Sequence, residues 1–147
     1  MKKILLPLAL FAIMGCNGHD EDREDDQPTM KGMWKMNKVE AYKSSIKQTE
    51  TKISTGCSAE NTHEFRSADM TTVNYAKQNN ECAPYETVTR KYTYDQKTKK
   101  FWYEGEQDYP YIVSQLTSVS MIFESNGDNI DGDGKNDVVK YYFDRIK

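Results

Sequence analysis

The sequence predicts an all-β domain of antiparallel strands, on three observations. From residue 30 onward, short runs rich in Thr, Tyr, Val and Phe are separated by polar turns, a composition that favours strands over helices. In two of these runs every second residue is apolar, as expected when one face of a strand is buried; these residues are Val119, Met121 and Phe123, then Val139, Tyr141 and Phe143. The chain of 147 residues is long enough for one core and too short for two. A single antiparallel β domain is therefore expected.

Eight strands follow in order along the chain, at residues 34–36, 63–66, 70–75, 85–94, 100–103, 110–113, 117–124 and 138–146. Residues 41–55 contain Ile46 and Ile53 but few other apolar positions, so a short helix, a loop and an extension of a strand are all open there. Eight short antiparallel strands close most economically into an up-and-down barrel or half-barrel, because closure removes the exposed edges of an open sheet. A β-sandwich is the alternative.

Residues 1–15 have the features of a secretory signal peptide: two lysines at positions 2 and 3, then an apolar run over residues 4–14. That run is shorter than the roughly 20 residues that a membrane-spanning helix needs. The residues Ile13-Met14-Gly15-Cys16 resemble the lipobox of bacterial lipoproteins, although Met14 departs from the usual residue at its position. The resemblance implies cleavage before Cys16 and acylation of its thiol, which would anchor the protein in a membrane. An ordinary secretory leader is the alternative.

Residues 16–29 are expected to form an acidic, disordered tether between the lipidated cysteine and the domain. The segment 20–26 holds six acids and one base; removing it and the two lysines of the leader leaves 17 acids and 17 bases in residues 27–147. A neutral body behind an acidic arm lacks the basic surface that nucleic acid binding requires, so no nucleic acid partner is expected. An acidic cluster directly after the cysteine resembles the export signal of Gram-negative surface lipoproteins. We therefore expect an outer membrane lipoprotein, with cell-surface display and a periplasm-facing position both open.

A family resemblance rests on residues at the two ends of the domain. Gly32-Met33-Trp34 resembles the Gly-x-Trp motif of the lipocalin superfamily, and Arg145 lies on the last strand, where such folds place an arginine over that tryptophan. Together with the lipobox and the tether, the pattern is similar to the lipocalin-like small lipoproteins of Gram-negative bacteria. The resemblance implies a lipocalin-like β domain over residues 30–147 in which Gly32, Trp34 and Arg145 are structural. A plain core tryptophan and a solvent-facing Arg145 are the alternative.

Cys57 and Cys82 are predicted to form a disulfide. Once Cys16 is acylated they remain as an even pair in an oxidising compartment, where disulfide formation is the usual outcome. The alternative is a zinc or nucleophilic site that combines the two thiols with His63. No Cys-x-x-Cys or His-x-x-x-His spacing supports that alternative.

The segment 126–137, rich in Asp, Asn and Gly, resembles the calcium-binding loops of extracellular repeat modules. Its oxygen-bearing side chains fall at positions 1, 3, 5 and 9 of such a loop, and Gly134 at position 6 permits the sharp turn. The candidate Ca²⁺ ligands are Asn129, Asp131, Asp133 and Asp137. Lys140 stands at position 12, where an EF-hand has its bidentate Glu, so only weak binding is expected. The alternative is a long polar hairpin turn, for which the same residue types are favoured.

Motifs for catalysis are absent from the sequence. It has no Ser-His-Asp order, no Gly-rich phosphate loop and no nucleophile elbow, and His63 is the only histidine after the tether. We therefore expect a non-enzymatic binding protein whose tyrosines line a cup for a small apolar or aromatic ligand. The tyrosines selected for that lining are Tyr92, Tyr94, Tyr103, Tyr109 and Tyr111. The alternatives are a structural or interaction lipoprotein without a ligand cavity, and an unrecognised hydrolase.

Overall fold

The computed structural model describes residues 28–147 and contains nine antiparallel strands in one sheet. The strands are β1 (Gly32–Lys43), β2 (Gln48–Ile53), β3 (Thr62–Phe65), β4 (Asp69–Gln78), β5 (Glu81–Asp95), β6 (Lys100–Tyr103), β7 (Tyr111–Leu116), β8 (Ser120–Asp128) and β9 (Asp137–Arg145), with a 3₁₀ helix at Gly56–Glu60. The predicted signal peptide, Cys16 and the tether up to residue 27 lie outside the described residues. Within the described part of the chain, no helix has the length and apolarity of a membrane span.

The sheet closes on itself because β1 pairs on both edges. Its residues 34–42 pair with β9, while the opposite edge pairs with β3 at residues 32–34 and with β2 at residues 38–43. The segments β2 and β3 therefore share one position in the ring, and the nine segments fill eight positions. This arrangement confirms the predicted all-β, antiparallel, eight-stranded barrel; the nine segments form this one ring rather than the two packed sheets of a sandwich.

Strand β2 lies in the segment 41–55, for which the sequence is compatible with a helix, a loop or a strand. All six of its residues are exposed, so no alternation of apolar and polar residues marks it in the sequence. Its order comes instead from backbone pairing with β1 across the turn at residues 44–47. The 3₁₀ helix then interrupts the line before β3 begins, and this interruption divides one ring position into two short strands.

One end of the barrel is filled with large apolar side chains. Trp34, Phe65, Phe101, Val113 and Met121 are each at most 2% exposed, and each contributes on the order of 1.5–3 kcal/mol or more through burial. The segment before β1 covers this layer: Met30 is buried, and its carbonyl accepts a hydrogen bond from the indole Nε1 of Trp34 at 2.8 Å. We call this the closed end of the barrel.

Gly32, Trp34 and Arg145 form one unit at the closed end. The guanidinium of Arg145 lies over the Trp34 ring, with Cζ 4.1 Å from the ring centroid, and donates hydrogen bonds to the carbonyls of Thr29 and Lys31. Gly32 has φ of +131°, and a Cβ there would lie 2.7 Å from the backbone carbonyl oxygen of Lys147 and against the guanidinium of Arg145. The unit therefore requires glycine at residue 32, and it fastens the chain before β1 to the last strand.

Cys57 and Cys82 form the predicted disulfide, with their Cα atoms 5.2 Å apart. The bond ties the 3₁₀ helix to the start of β5, at the end of the barrel opposite the closed end. Both thiols are consumed by this bond, so they are not available as zinc ligands or nucleophiles alongside His63.

Candidate functional site

A cavity of about 350 Å³ lies inside the barrel, above the filled layer of the closed end. Its volume falls at the small end of the range for small-molecule sites, about 300–1,000 Å³. The side chains that line it come from strands all around the ring. The apolar ones are Met36, Met70, Val88, Phe123 and Phe143. The site is thus a cup whose floor is the closed end of the barrel.

Stacked aromatic rings form one wall of the cavity. Phe123 packs against Phe143 with ring centroids 4.9 Å apart, and against Tyr141 at 5.3 Å. Such contacts hold the rings in fixed orientations and present their faces and edges to the cavity. Met36 and Met70 are unbranched and flexible, so they can adapt to the outline of a guest molecule. The wall and the two methionines favour an apolar occupant.

His63 is the titratable group deepest in this wall. Its Nδ1 lies 3.0 Å from the Thr72 hydroxyl, and its ring meets that of Phe143 edge-on at 5.3 Å. The other nitrogen, Nε2, is buried and has no hydrogen-bond partner among residues 28–147. Burial lowers the pKa of His63 to about 4, so the imidazole is neutral at pH 7.

Three tyrosines line the cavity: Tyr103, Tyr111 and Tyr141. Tyr111 lies 5.9 Å from Tyr103 and 6.2 Å from Tyr141, measured between ring centroids. Burial, more than any nearby charge, raises the pKa of each phenol, and that of Tyr141 reaches about 12. The three hydroxyl groups therefore keep their protons at neutral pH.

Arg90 carries the positive charge closest to these phenols. Its guanidinium lies 3.7 Å from the centroid of the Tyr103 ring and forms an ion pair with Glu106. Its charge is thus balanced before any ligand enters. Asn74, also in the lining, donates from Nδ2 to Glu86 at 2.9 Å.

The sequence predicts only some of the residues that line the cavity. Of the five tyrosines selected from the sequence, Tyr103 and Tyr111 line the cavity, whereas Tyr92 packs in the filled core and Tyr109 is 73% exposed. Tyr94 also packs against the core. His63 and Tyr141 belong to the lining, although the sequence analysis does not assign them to it. A signal for each was present, because each lies two residues from a phenylalanine on the inward face of its strand.

The segment 129–137 has the contacts of a polar turn. Asp137 is fully buried, and its carboxylate accepts hydrogen bonds from the N–H groups of Ser44 and Ile130, both at 2.9 Å, which lower its pKa. Asp131 accepts from the Ser45 hydroxyl, and Asp133 accepts from a neighbouring backbone N–H.

Among residues 28–147, no three acidic, histidine or cysteine side chains come together in a way that could hold a metal ion. Of the four residues that the sequence predicts as calcium ligands, Asn129, Asp131, Asp133 and Asp137, the three acids do not form such a group in this structure. Calcium binding at this loop stays a prediction from the sequence.

Comparison with known proteins gives a match for most of the domain. The family model of the lipocalin-like domain matches residues 30–123. Among solved structures, aphrodisin, a sex pheromone from female hamster, is 15% identical with a TM-score of 0.39, over 79% of this chain and 74% of that one. A bovine odorant-binding protein, a deswapped triple mutant, is 15% identical with a TM-score of 0.40, over 78% and 72% of the two chains. No curated protein matches the sequence. Because the family model spans more than half of the chain, this protein belongs to the lipocalin-like domain family.

Proposed function

We propose that this protein is a lipid-anchored, non-enzymatic binding protein of the bacterial outer membrane, which takes a small apolar or aromatic ligand into its barrel. The observation that carries this proposal is the cavity of about 350 Å³ with its wall of aromatic rings and methionines. A barrel filled by its own side chains throughout would instead favour the structural or interaction role. Here the filling stops at the closed end, and the upper half of the barrel is left as a cup.

The energetics of burial support a ligand with an aromatic body. A guest the size of an aromatic side chain buries roughly 150–250 Å². At about 25 cal/mol per Å² this burial is worth about 4–6 kcal/mol. Association costs at least about 4 kcal/mol in lost translation and rotation, so apolar burial alone gives weak binding. Useful affinity then depends on polar contacts inside the cavity as well.

The charge state of the cavity supports binding rather than acid–base chemistry. At pH 7 the imidazole of His63 is neutral, and Tyr111 and Tyr141 are protonated, because burial moves each pKa toward the neutral form. The guanidinium of Arg90 is paired with Glu106. These groups suit the recognition of an uncharged guest.

The anchor is the second part of the proposal and rests on the Gly15-Cys16 pattern, outside the described residues. The chain enters the domain at Met30, beneath Trp34 at the closed end. A lipid on Cys16 would therefore attach the barrel by its closed end. The acidic segment 20–26 supports display on the cell surface, with a periplasm-facing position as the alternative.

The anchor is tested by changing the acylated residue. Cys16→Ser should leave the protein unprocessed or free of the membrane, as measured by fractionation and intact mass. Normal membrane attachment of Cys16→Ser would refute the lipoprotein assignment. Neutralising the acids of segment 20–26 should reduce protease accessibility on intact cells, and unchanged accessibility would exclude a role for them in export.

Ligand binding is tested by native mass spectrometry of the protein extracted from its own membrane, where a bound small molecule adds a discrete mass. Val88→Trp supplies the contrast, since Val88 lines the cavity and is 38% exposed, so an indole can fill the mouth without entering the filled core. Val119→Trp is the matched control, because Val119 is 67% exposed in the β7–β8 turn at the closed end. The added mass should be lost in Val88→Trp and kept in Val119→Trp. Equal occupancy of both variants would place the ligand elsewhere.

A further inference from the structure

Two phenol groups in the cavity have no partner within the described part of the chain. Tyr111 and Tyr141 line the cavity side by side, with ring centroids 6.2 Å apart and ring planes at 72°. Three other tyrosine hydroxyls of the domain do have a partner: Tyr92 donates to the carbonyl of Arg66 at 2.6 Å, Tyr103 donates to the sulfur of Met70, and Tyr142 donates to Glu40. A tyrosine that is half buried usually finds a hydrogen-bond partner. The hydroxyl groups of Tyr111 and Tyr141 therefore mark a place where a ligand can supply a hydrogen-bond partner.

The two phenols act as hydrogen-bond donors. Burial raises the pKa of both, so each keeps its proton through the physiological range. A carbonyl oxygen has two lone pairs and can accept from two donors at once. One acceptor atom placed between the rings of Tyr111 and Tyr141 could thus satisfy both hydroxyl groups.

The surrounding charges favour a neutral acceptor over an anion. The carboxylates of Asp128 and Glu106 add to the effect of burial in raising the pKa of Tyr111, so they make the potential at its hydroxyl more negative. Arg90 acts in the opposite direction but is already paired with Glu106. A carboxylate ligand would therefore enter a site whose positive charge is balanced and whose nearby acids repel it.

The apolar part of the cavity determines which kind of ligand body can bind next to the two phenols. Met36, Phe123 and Phe143 line the same cavity as the two phenols and offer apolar surface and ring faces. We propose that the cavity selects an uncharged ligand with an aromatic or apolar body and one carbonyl-type acceptor, and that Tyr111 and Tyr141 hold this acceptor. This inference rests on the proposed function, and it adds the chemical class of the ligand.

The test uses three probes of matched shape on the purified full-length chain, with binding measured by isothermal titration calorimetry. The probes are 2-acetylnaphthalene, a neutral ketone; 2-isopropenylnaphthalene, in which a methylene replaces the carbonyl oxygen; and 2-naphthoate, a carboxylate. The ketone should bind about five- to thirtyfold more tightly than the olefin, as expected for one or two net hydrogen bonds. The carboxylate should bind most weakly.

The same titrations on phenylalanine variants assign the contact. Tyr111→Phe and Tyr141→Phe remove one hydroxyl each and should each lose a large part of the preference for the ketone, while affinity for the olefin stays the same. Tyr94→Phe is the matched control, because Tyr94 packs against the core without lining the cavity. It should keep the full preference.

The possible outcomes separate this inference from the proposed function. Equal affinity for ketone and olefin would overturn the inference and leave the cavity as a purely apolar binding site. Tightest binding of 2-naphthoate would overturn the choice of a neutral acceptor. A preference that persists in both Tyr111→Phe and Tyr141→Phe would overturn the assignment to these two residues. No binding of any probe would count against the proposed function itself, and the inference would fall with it.

Discussion

Acid should weaken the fold through His63. The folded domain holds the imidazole in the barrel wall with a pKa of about 4, against an ordinary value of 6.5. Below pH 6.5 the unfolded chain therefore takes up a proton that the folded chain does not. Stability falls as the pH drops from about 6.5 to about 4. The full loss is on the order of 3 kcal/mol, and about 2 kcal/mol of it is reached between pH 7 and pH 5.

The assay is urea unfolding at a series of pH values between 8 and 4.5, for the native chain and for His63→Gln. Glutamine is neutral throughout this range and can still hydrogen-bond to Thr72. The difference in unfolding free energy between the two proteins removes the contribution of the carboxylates, which both proteins share. The native chain should lose about 2 kcal/mol more than His63→Gln between pH 7 and pH 5. Parallel curves for the two proteins would show that His63 is not held neutral by burial.

Three further predictions concern the framework around the cavity. Gly32→Ala should lower the free energy of unfolding by about 1–3 kcal/mol or more, because φ is +131° and a Cβ would collide with the backbone carbonyl of Lys147; unchanged urea denaturation would contradict the close approach. Reduction of the Cys57–Cys82 bond should cost roughly 3.5 kcal/mol by the chain-entropy relation, and an unchanged melting temperature would count against it. Asp137→Ala should lower the melting temperature, because the backbone N–H groups of Ser44 and Ile130 lose their carboxylate acceptor. A rise in the melting temperature of the native protein with millimolar Ca²⁺ would support the calcium site that the sequence predicts, and an unchanged value would leave the segment as a polar turn.

Much of the barrel was predictable because most strands bury one face. The alternation at Met121 and Phe123 lies within β8, and the alternation at Val139, Tyr141 and Phe143 lies within β9. Val119 does not continue the buried face of β8, because it lies in the preceding turn and is 67% exposed. Strand β2 is exposed and has no buried face, so its sequence shows no alternation of apolar and polar residues. Its position depends on backbone pairing with β1 across the turn at residues 44–47, which its own side chains do not indicate.

The site was less predictable because residue type and spacing do not show where a side chain points in the folded domain. The Asp residues of segment 129–137 have the spacing of calcium ligands, yet the carboxylate of Asp137 points to the N–H groups of Ser44 and Ile130. Ser44 is 93 residues away along the chain, so no local pattern could show this contact. His63 looked isolated for the same reason: its cavity position depends on the strands that meet around it, not on its sequence neighbours.

The central claim, that a ligand binds in the upper half of the barrel, is tested most directly by the methionine methyl groups. Met36 and Met70 line the cavity, whereas Met30 and Met121 lie in the closed end. In a titration of the ¹³C-methyl-methionine-labelled full-length chain with 2-acetylnaphthalene, ring currents should shift the Met36 and Met70 resonances and leave those of Met30 and Met121 in place. Shifts confined to Met30 and Met121, or no shift at saturating probe, would contradict the claim.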